Sequence, residues 1–197
     1  MDIYHTKVWR LRDQRILQGS GPYPKHEQEV MDMMLEESIR ILAMQEEILQ
    51  FSHFTNEDAW ELGSLMVAEA ARNHLPVAIS IRLNNGYTVF QYGFKGTNYN
   101  NEQWITRKHN TVRTMEMSSL RLFMLLKKNQ ETLESHGLNE TEYVARGGGF
   151  PIRVAGAGVI GSVLVSGLDH MADHEFASAC MSQYLRIDGI PRLPVSF

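Results

Sequence analysis

The stretch from Arg146 to Leu185, RGGGFPIRVAGAGVIGSVLVSGLDHMADHEFASACMSQYL, restricts the fold more than any other part of the chain. Phe150 to Val154 is rich in β-branched and aromatic residues, with its proline near the start, where a missing donor harms a strand least. Val159 to Val165 is apolar at nearly every position, which predicts a strand buried on both faces. Ser166-Gly167 ends it. Asp169 or Asp173 can then cap a helix that gathers Phe176, Ala177, Cys180, Met181, Tyr184 and Leu185 on one side.

Within this stretch Gly156, Gly158 and Gly161 spell G-x-G-x-x-G, the dinucleotide-binding fingerprint. That fingerprint needs a helix opening on its glycines, so that a pyrophosphate meets free helix N–H groups. Here Val159, Ile160, Val163 and Val165 follow, which favour strand over helix. Residues 162–197 are also too few for the rest of a Rossmann unit. The G-A-G segment is therefore read as a hairpin turn.

A length of 197 residues suits one domain, or one domain with an extension. The division expected is an N-terminal extension over 1–28 and a single domain over 29–197. A net charge of −4 and a pI near 6.1 do not suggest a nucleic-acid surface. A single cysteine, Cys180, excludes an internal disulfide and fits a reducing compartment. No apolar run approaches the ~20 residues of a membrane span, and MDIYHTKVWRLRDQ is too polar for a signal peptide. The expectation is a soluble cytoplasmic protein with no membrane partner. The eleven methionines read as adaptable core filler.

In chain order, Gly19 to Pro24 breaks the N-terminal segment. His26 to Phe51 predicts a long amphipathic helix, with Glu36, Glu37, Glu46 and Glu47 on its solvated face. Thr55 caps a second helix that runs to about His74, with Asp58 three residues on. Val77 to Phe94 is a β-hairpin around Asn84-Asn85-Gly86, since Asn-Gly tolerates positive φ at both turn centres. Glu102 to Lys128 predicts one long helix. A short helix from Gln130 ends at Gly137, and Asn139 can cap a further turn. Two antiparallel hairpins separated by helices imply an α+β sheet with helices packed on it.

Several pieces together resemble one family. They are W-I-T-R-K-H-N-T-V (Trp104 to Val112), Ser118-Ser119, G-G-G-F-P-I (Gly147 to Ile152), G-V-I-G-S-V-L-V-S-G-L (Gly158 to Leu168) and D-H-E (Asp173 to Glu175). They look like the UPF0303 (DUF967) family, part of the wider group of haem-degrading HbpS/GlcG-like domains, over roughly Glu29 to Arg186. The resemblance implies a profilin-like three-layer α/β/α fold with a central antiparallel sheet of about five strands. It also implies homo-oligomers.

The candidate site residues follow. Arg107, Lys108, His109 and Arg113 stand on the early turns of the predicted long helix. A helix N-terminus favours anions and nearby cations strengthen that, so these residues can hold a carboxylate, a phosphate or a haem propionate. The other reading is a solvated or inter-subunit basic face. Gly147, Gly148 and Gly149 either present N–H groups to a ligand as a nest or form a flexible strand entry. His170 and His174, spaced i,i+4 beside Asp173, can bind a metal or haem iron, or be structural. His109 is a third candidate iron ligand. Cys180 reads as a buried small hydrophobe. The expectation is an oligomeric protein binding haem or another small anionic ligand. The alternatives are a non-catalytic homo-oligomeric scaffold and an enzyme of unknown type.

Overall fold

The computed structural model describes residues 25–193, so residues 1–24 of the extension expected over 1–28 lie outside the described residues. Helix α1 (Lys25–Ile48) stops before the apolar periodicity does, and Gln50–Phe51 leave it to form a two-residue strand, β1. Phe51 is buried in the main core. Helix α2 (Asn56–Arg72) opens on the expected cap, a reciprocal box in which Thr55 Oγ1 accepts the Asp58 N–H and Asp58 Oδ2 accepts the Thr55 N–H. Strands β2 (Ala78–Leu83) and β3 (Thr88–Gly93) form the predicted hairpin, with Gly86 at φ +90° in its turn. Helices α3 (Tyr99–Met115) and α4 (Ser119–Asn129) follow. Strands β4 (Gly149–Val154) and β5 (Gly158–Ser166) are joined through the G-A-G turn, whose Gly156 and Gly158 both take positive φ. Helix α5 (His170–Leu185) is capped by Asp169, not Asp173.

The five strands lie in the order β1-β4-β5-β2-β3. The pairs β4–β5, β5–β2 and β2–β3 are antiparallel, as expected, but β1 runs parallel to β4, so the sheet is mixed. A parallel neighbour needs a long crossover, and the chain from β1 to β4 supplies it. One face of the sheet carries Ile79, Ile81, Phe150, Ile152, Val163 and Val165 against α2 and α5. The other meets α3 through Ala78, Leu164 and Ile105, and it also buries Ser80, Arg82 and Ser162.

The single long helix expected over Glu102–Lys128 is two helices. Glu116 adopts a left-handed conformation at φ +51°, and Ser118 caps α4 by accepting the Arg121 N–H. Buried Glu46 holds this corner. Its Oε1 accepts the Ser118 N–H at 2.9 Å and its Oε2 accepts Arg121 Nη1 at 2.9 Å. Glu46 is therefore no part of a solvated face. A carboxylate that binds an N-terminal N–H and a guanidinium makes two charge-assisted bonds, here from α1 to the start of α4. Of the short helix expected over 130–137, only a 3₁₀ turn, Glu134–His136, forms.

Candidate functional site

Arg107, Lys108 and His109 sit in the third turn of α3, because that helix begins at Tyr99. The free N–H groups belong to a helix's first four residues, so the helix-terminus argument for an anion here does not hold. Lys108 points inward. Its Nζ donates to Val165 O at 2.7 Å and to Asp173 Oδ2 at 2.9 Å, and both side chains are 3% exposed. Asp173 Oδ1 accepts the Leu168 N–H. Burial pushes the Lys108 amine down and the Asp173 carboxyl up, while each partner's charge opposes the shift in the other.

The three glycines make room for this pair. A Cβ at Gly148, whose φ is +105°, would lie 2.5 Å from Val165 O and 2.6 Å from Lys108 Nζ, and one at Gly147 would lie 2.0 Å from His170 O. The Gly149 N–H donates to Ser119 Oγ at 2.9 Å and the Gly147 N–H to His170 Nδ1 at 3.4 Å. Those two donors are already engaged within the protein.

The histidines are held neutral. His109 is buried against Ser162, with Nδ1 2.7 Å from its hydroxyl, and burial pushes its pKa down to about 4, with Arg82 and Arg113 adding to the effect. His174 is fully enclosed, and burial pushes its pKa down to about 3. Gln45 Nε2 donates to Pro191 O, so its Oε1 must accept the His174 Nε2–H, 2.9 Å away. That leaves His174 Nδ1 buried without a partner among the described residues. His170 is less enclosed, and burial again pushes its pKa down to about 4. Among the described residues no three His, Cys, Asp or Glu side chains are grouped to hold a metal ion. Cys180 is buried, as read, and burial pushes its thiol up to about 12.

Arg107 parts company with Lys108. It is half-buried at a groove of about 410 Å³ between α3, α4 and residues 131–146. Its guanidinium lies 4.2 Å from the Trp104 ring centroid and donates to Glu140 O at 3.4 Å. From the same groove the Arg146 guanidinium stands 4.9 Å, and Lys127 Nζ 5.5 Å, from the Phe123 ring centroid. His170 packs edge-on to that ring, at 5.1 Å between centroids. Arg113 is exposed further along α3 and does not line the groove. Trp104 and Phe123 have the helical spacing of core residues, and Lys127 and Arg146 carry no motif signal. Only the packing of α4 and the 131–146 loop against α3 brings them together.

The model of the haem-degrading HbpS-like family matches residues 54–182. A UPF0303 protein of Serratia proteamaculans is 38% identical over 154 residues, covering 78% of this chain and 95% of that protein. One of Edwardsiella ictaluri is 37% identical over 157 residues, covering 79% and 99%. The crystal structure of the Ybr137w protein aligns with a TM-score of 0.71 at 26% identity, over 80% of this chain and 97% of that one. A PduOC:heme complex aligns with a TM-score of 0.57 at 21% identity, over 66% and 93%, a likeness of fold. By sequence and by fold, the chain belongs to the UPF0303 proteins of the haem-degrading HbpS-like family.

Proposed function

We propose that this protein binds a small planar anion in the α3–α4 groove, and that it does so as a homo-oligomer in the cytoplasm. The observation that carries the reading is the set of three cations, Arg107, Lys127 and Arg146, laid on two aromatic rings of one groove. Cations held over rings are partly ordered and desolvated, so an acid group meets them at a small entropic cost. The volume falls within the range of small-molecule sites.

Haem is the named candidate, supported by the family and by the haem-bound structural neighbour. Its propionates suit the three cations. Its iron has no ready ligand in the groove. Of the three histidines only His170 borders the groove wall, and its Nδ1 lone pair already accepts the Gly147 N–H. A neutral imidazole has a single lone-pair nitrogen. The acid groups therefore fit better than the metal, and metal-free protoporphyrin should bind about as well as haem. Lys108, His109 and the glycines brace the wall behind the groove under this reading.

The test is a titration with haem and with protoporphyrin, read in the Soret band. Losing one charge-assisted contact costs about 1.5–3 kcal/mol, so Arg107→Ala and Arg146→Ala should each weaken both ligands at least tenfold, with the oligomer intact. A shift that never saturates, or that is equal in all variants, removes the ligand site. If Arg107→Ala instead weakens assembly, the scaffold reading takes its place.

A further inference from the structure

We infer that residues 1–24 of this chain dock on the outward face of its own helix α1. The inference is separate from the groove, none of whose lining residues lies on α1.

Helix α1 is apolar on two sides. Met31, Leu35 and Leu42 bury one side against Leu120 and Met124 of α4 and Met171 of α5. On the side turned away, Met33 stands 64% exposed, Met44 42% and Ile48 37%. At about 100° per residue these three fall within about 60° of one another. Glu37 falls among them and Glu47 beside them. A stripe of large apolar side chains left in water marks a surface that something covers. Among the described residues nothing closes over it.

Charge and reach choose the occupant. Helix α1 carries seven acidic residues against Lys25 and Arg40, a net −5. A second copy of the same face would set Glu37 and Glu47 against their own kind, and like charges in apposition repel. Residues 1–24, which lie outside the described residues, carry Lys7, Arg10, Arg12 and Arg15 against Asp2 and Asp13, a net +2. Among those cations stand Val8, Trp9, Leu11 and Ile16. One segment thus offers both the apolar surface and the charge that the face calls for. It also ends in the right place. It runs directly into Lys25, the first residue of α1, through Gly19-Ser20-Gly21-Pro22-Tyr23-Pro24, residue types that favour chain reversal. Met33 to Ile48 span about 22 Å of helix, and residues 1–18 can reach up to about 60 Å. A short tether holds a segment near its target at about millimolar effective concentration, so a modest contact is enough to keep it there.

The experiment is trypsin cleavage of the full native chain, followed by mass spectrometry at the bonds after Lys7, Arg10, Arg12 and Arg15. A synthetic peptide of residues 1–24 is cut alongside. Cleavage tracks the undocked population, so the native chain should be cut at these bonds at least tenfold more slowly than the peptide. Met33→Gln/Met44→Gln, shown to be folded by far-UV circular dichroism, should lose that protection. In Leu11→Cys/Met44→Cys a flexible bis-maleimide should join residues 11 and 44 within one chain. Native cleavage as fast as the peptide's overturns docking. Protection that survives in the glutamine variant overturns this face. A cross-link that joins two chains overturns the own-chain occupant and puts a second copy's segment in its place.

Discussion

Asp173→Ala tests how α3 is tied to α5. The substitution strips Lys108 of its counter-charge and leaves Nζ with only the Val165 carbonyl, in surroundings where the lysine side chain is 3% exposed. Removing one member of a buried ion pair costs about 3–5 kcal/mol. The Leu168 N–H also loses its acceptor, which adds about 1 kcal/mol. The loss, about 4–6 kcal/mol, is a large part of the ~5–15 kcal/mol that holds a domain together. Urea denaturation followed by circular dichroism should show it as a lower midpoint at unchanged slope. In a thermal scan, at about 2–4 °C per kcal/mol for a chain of this size, melting should fall by roughly 8–24 °C. Adding Lys108→Met removes the stranded charge and keeps most of the stem's volume, so the double variant should regain most of the loss. A single variant within about 1 kcal/mol of wild type would refute the argument. So would a double variant no more stable than the single.

Three further outcomes follow. Gly148→Ala, which sets a Cβ against Val165 O and Lys108 Nζ at a φ of +105°, should destabilise by about 3 kcal/mol or more, measured by the same urea midpoint. The histidines make folding acid-sensitive: His109, His170 and His174 have folded values of about 4, 4 and 3, below their usual 6.5. The unfolded chain therefore binds more protons between those limits, so stability is full above pH 6.5 and falls as pH drops toward 4. At pH 5 His174 alone should cost about 2 kcal/mol, and equal urea midpoints at pH 7.5 and 5 would sink this account. Cys180, buried with its thiol raised to about 12, should resist a thiol reagent in the native protein and react only on unfolding, as a colorimetric time course would show.

Local chemistry in the sequence was enough for much of the fold. Asn84-Asn85-Gly86 can hardly be anything but a hairpin turn, and valines after Gly158 forbid the helix that a dinucleotide loop requires. Thr55 and Asp58 announce their capping box. The α3–α4 break could not be read the same way, because it has neither glycine nor proline. It is held by Glu46, 72 residues earlier, through the Ser118 N–H. The parallel strand β1 is two residues long, below what any periodicity can register. The site divides similarly. Arg107 was visible as a cation, but whether it or Lys108 faced solvent depended on Asp173, 65 residues away from Lys108. Lys127 and Arg146 lie on separate segments, and both reach the ring of Phe123.

The strand order has a consequence for how the chain assembles in time. Strand β5 lies between β4 and β2, yet it follows both in sequence, so it is the last strand to be made. Until it arrives, β4 can pair only with the two-residue β1, and the β2–β3 hairpin stands with its inner edge also open. Two-stranded hairpins are marginal in water, and contacts between distant segments form slowly because long loops must close first. The chain from α1 to β4 therefore leaves strand edges uncovered until β5 is added, and uncovered edges are where aggregation starts. The sheet is complete only once residues 158–166 lie between β4 and β2.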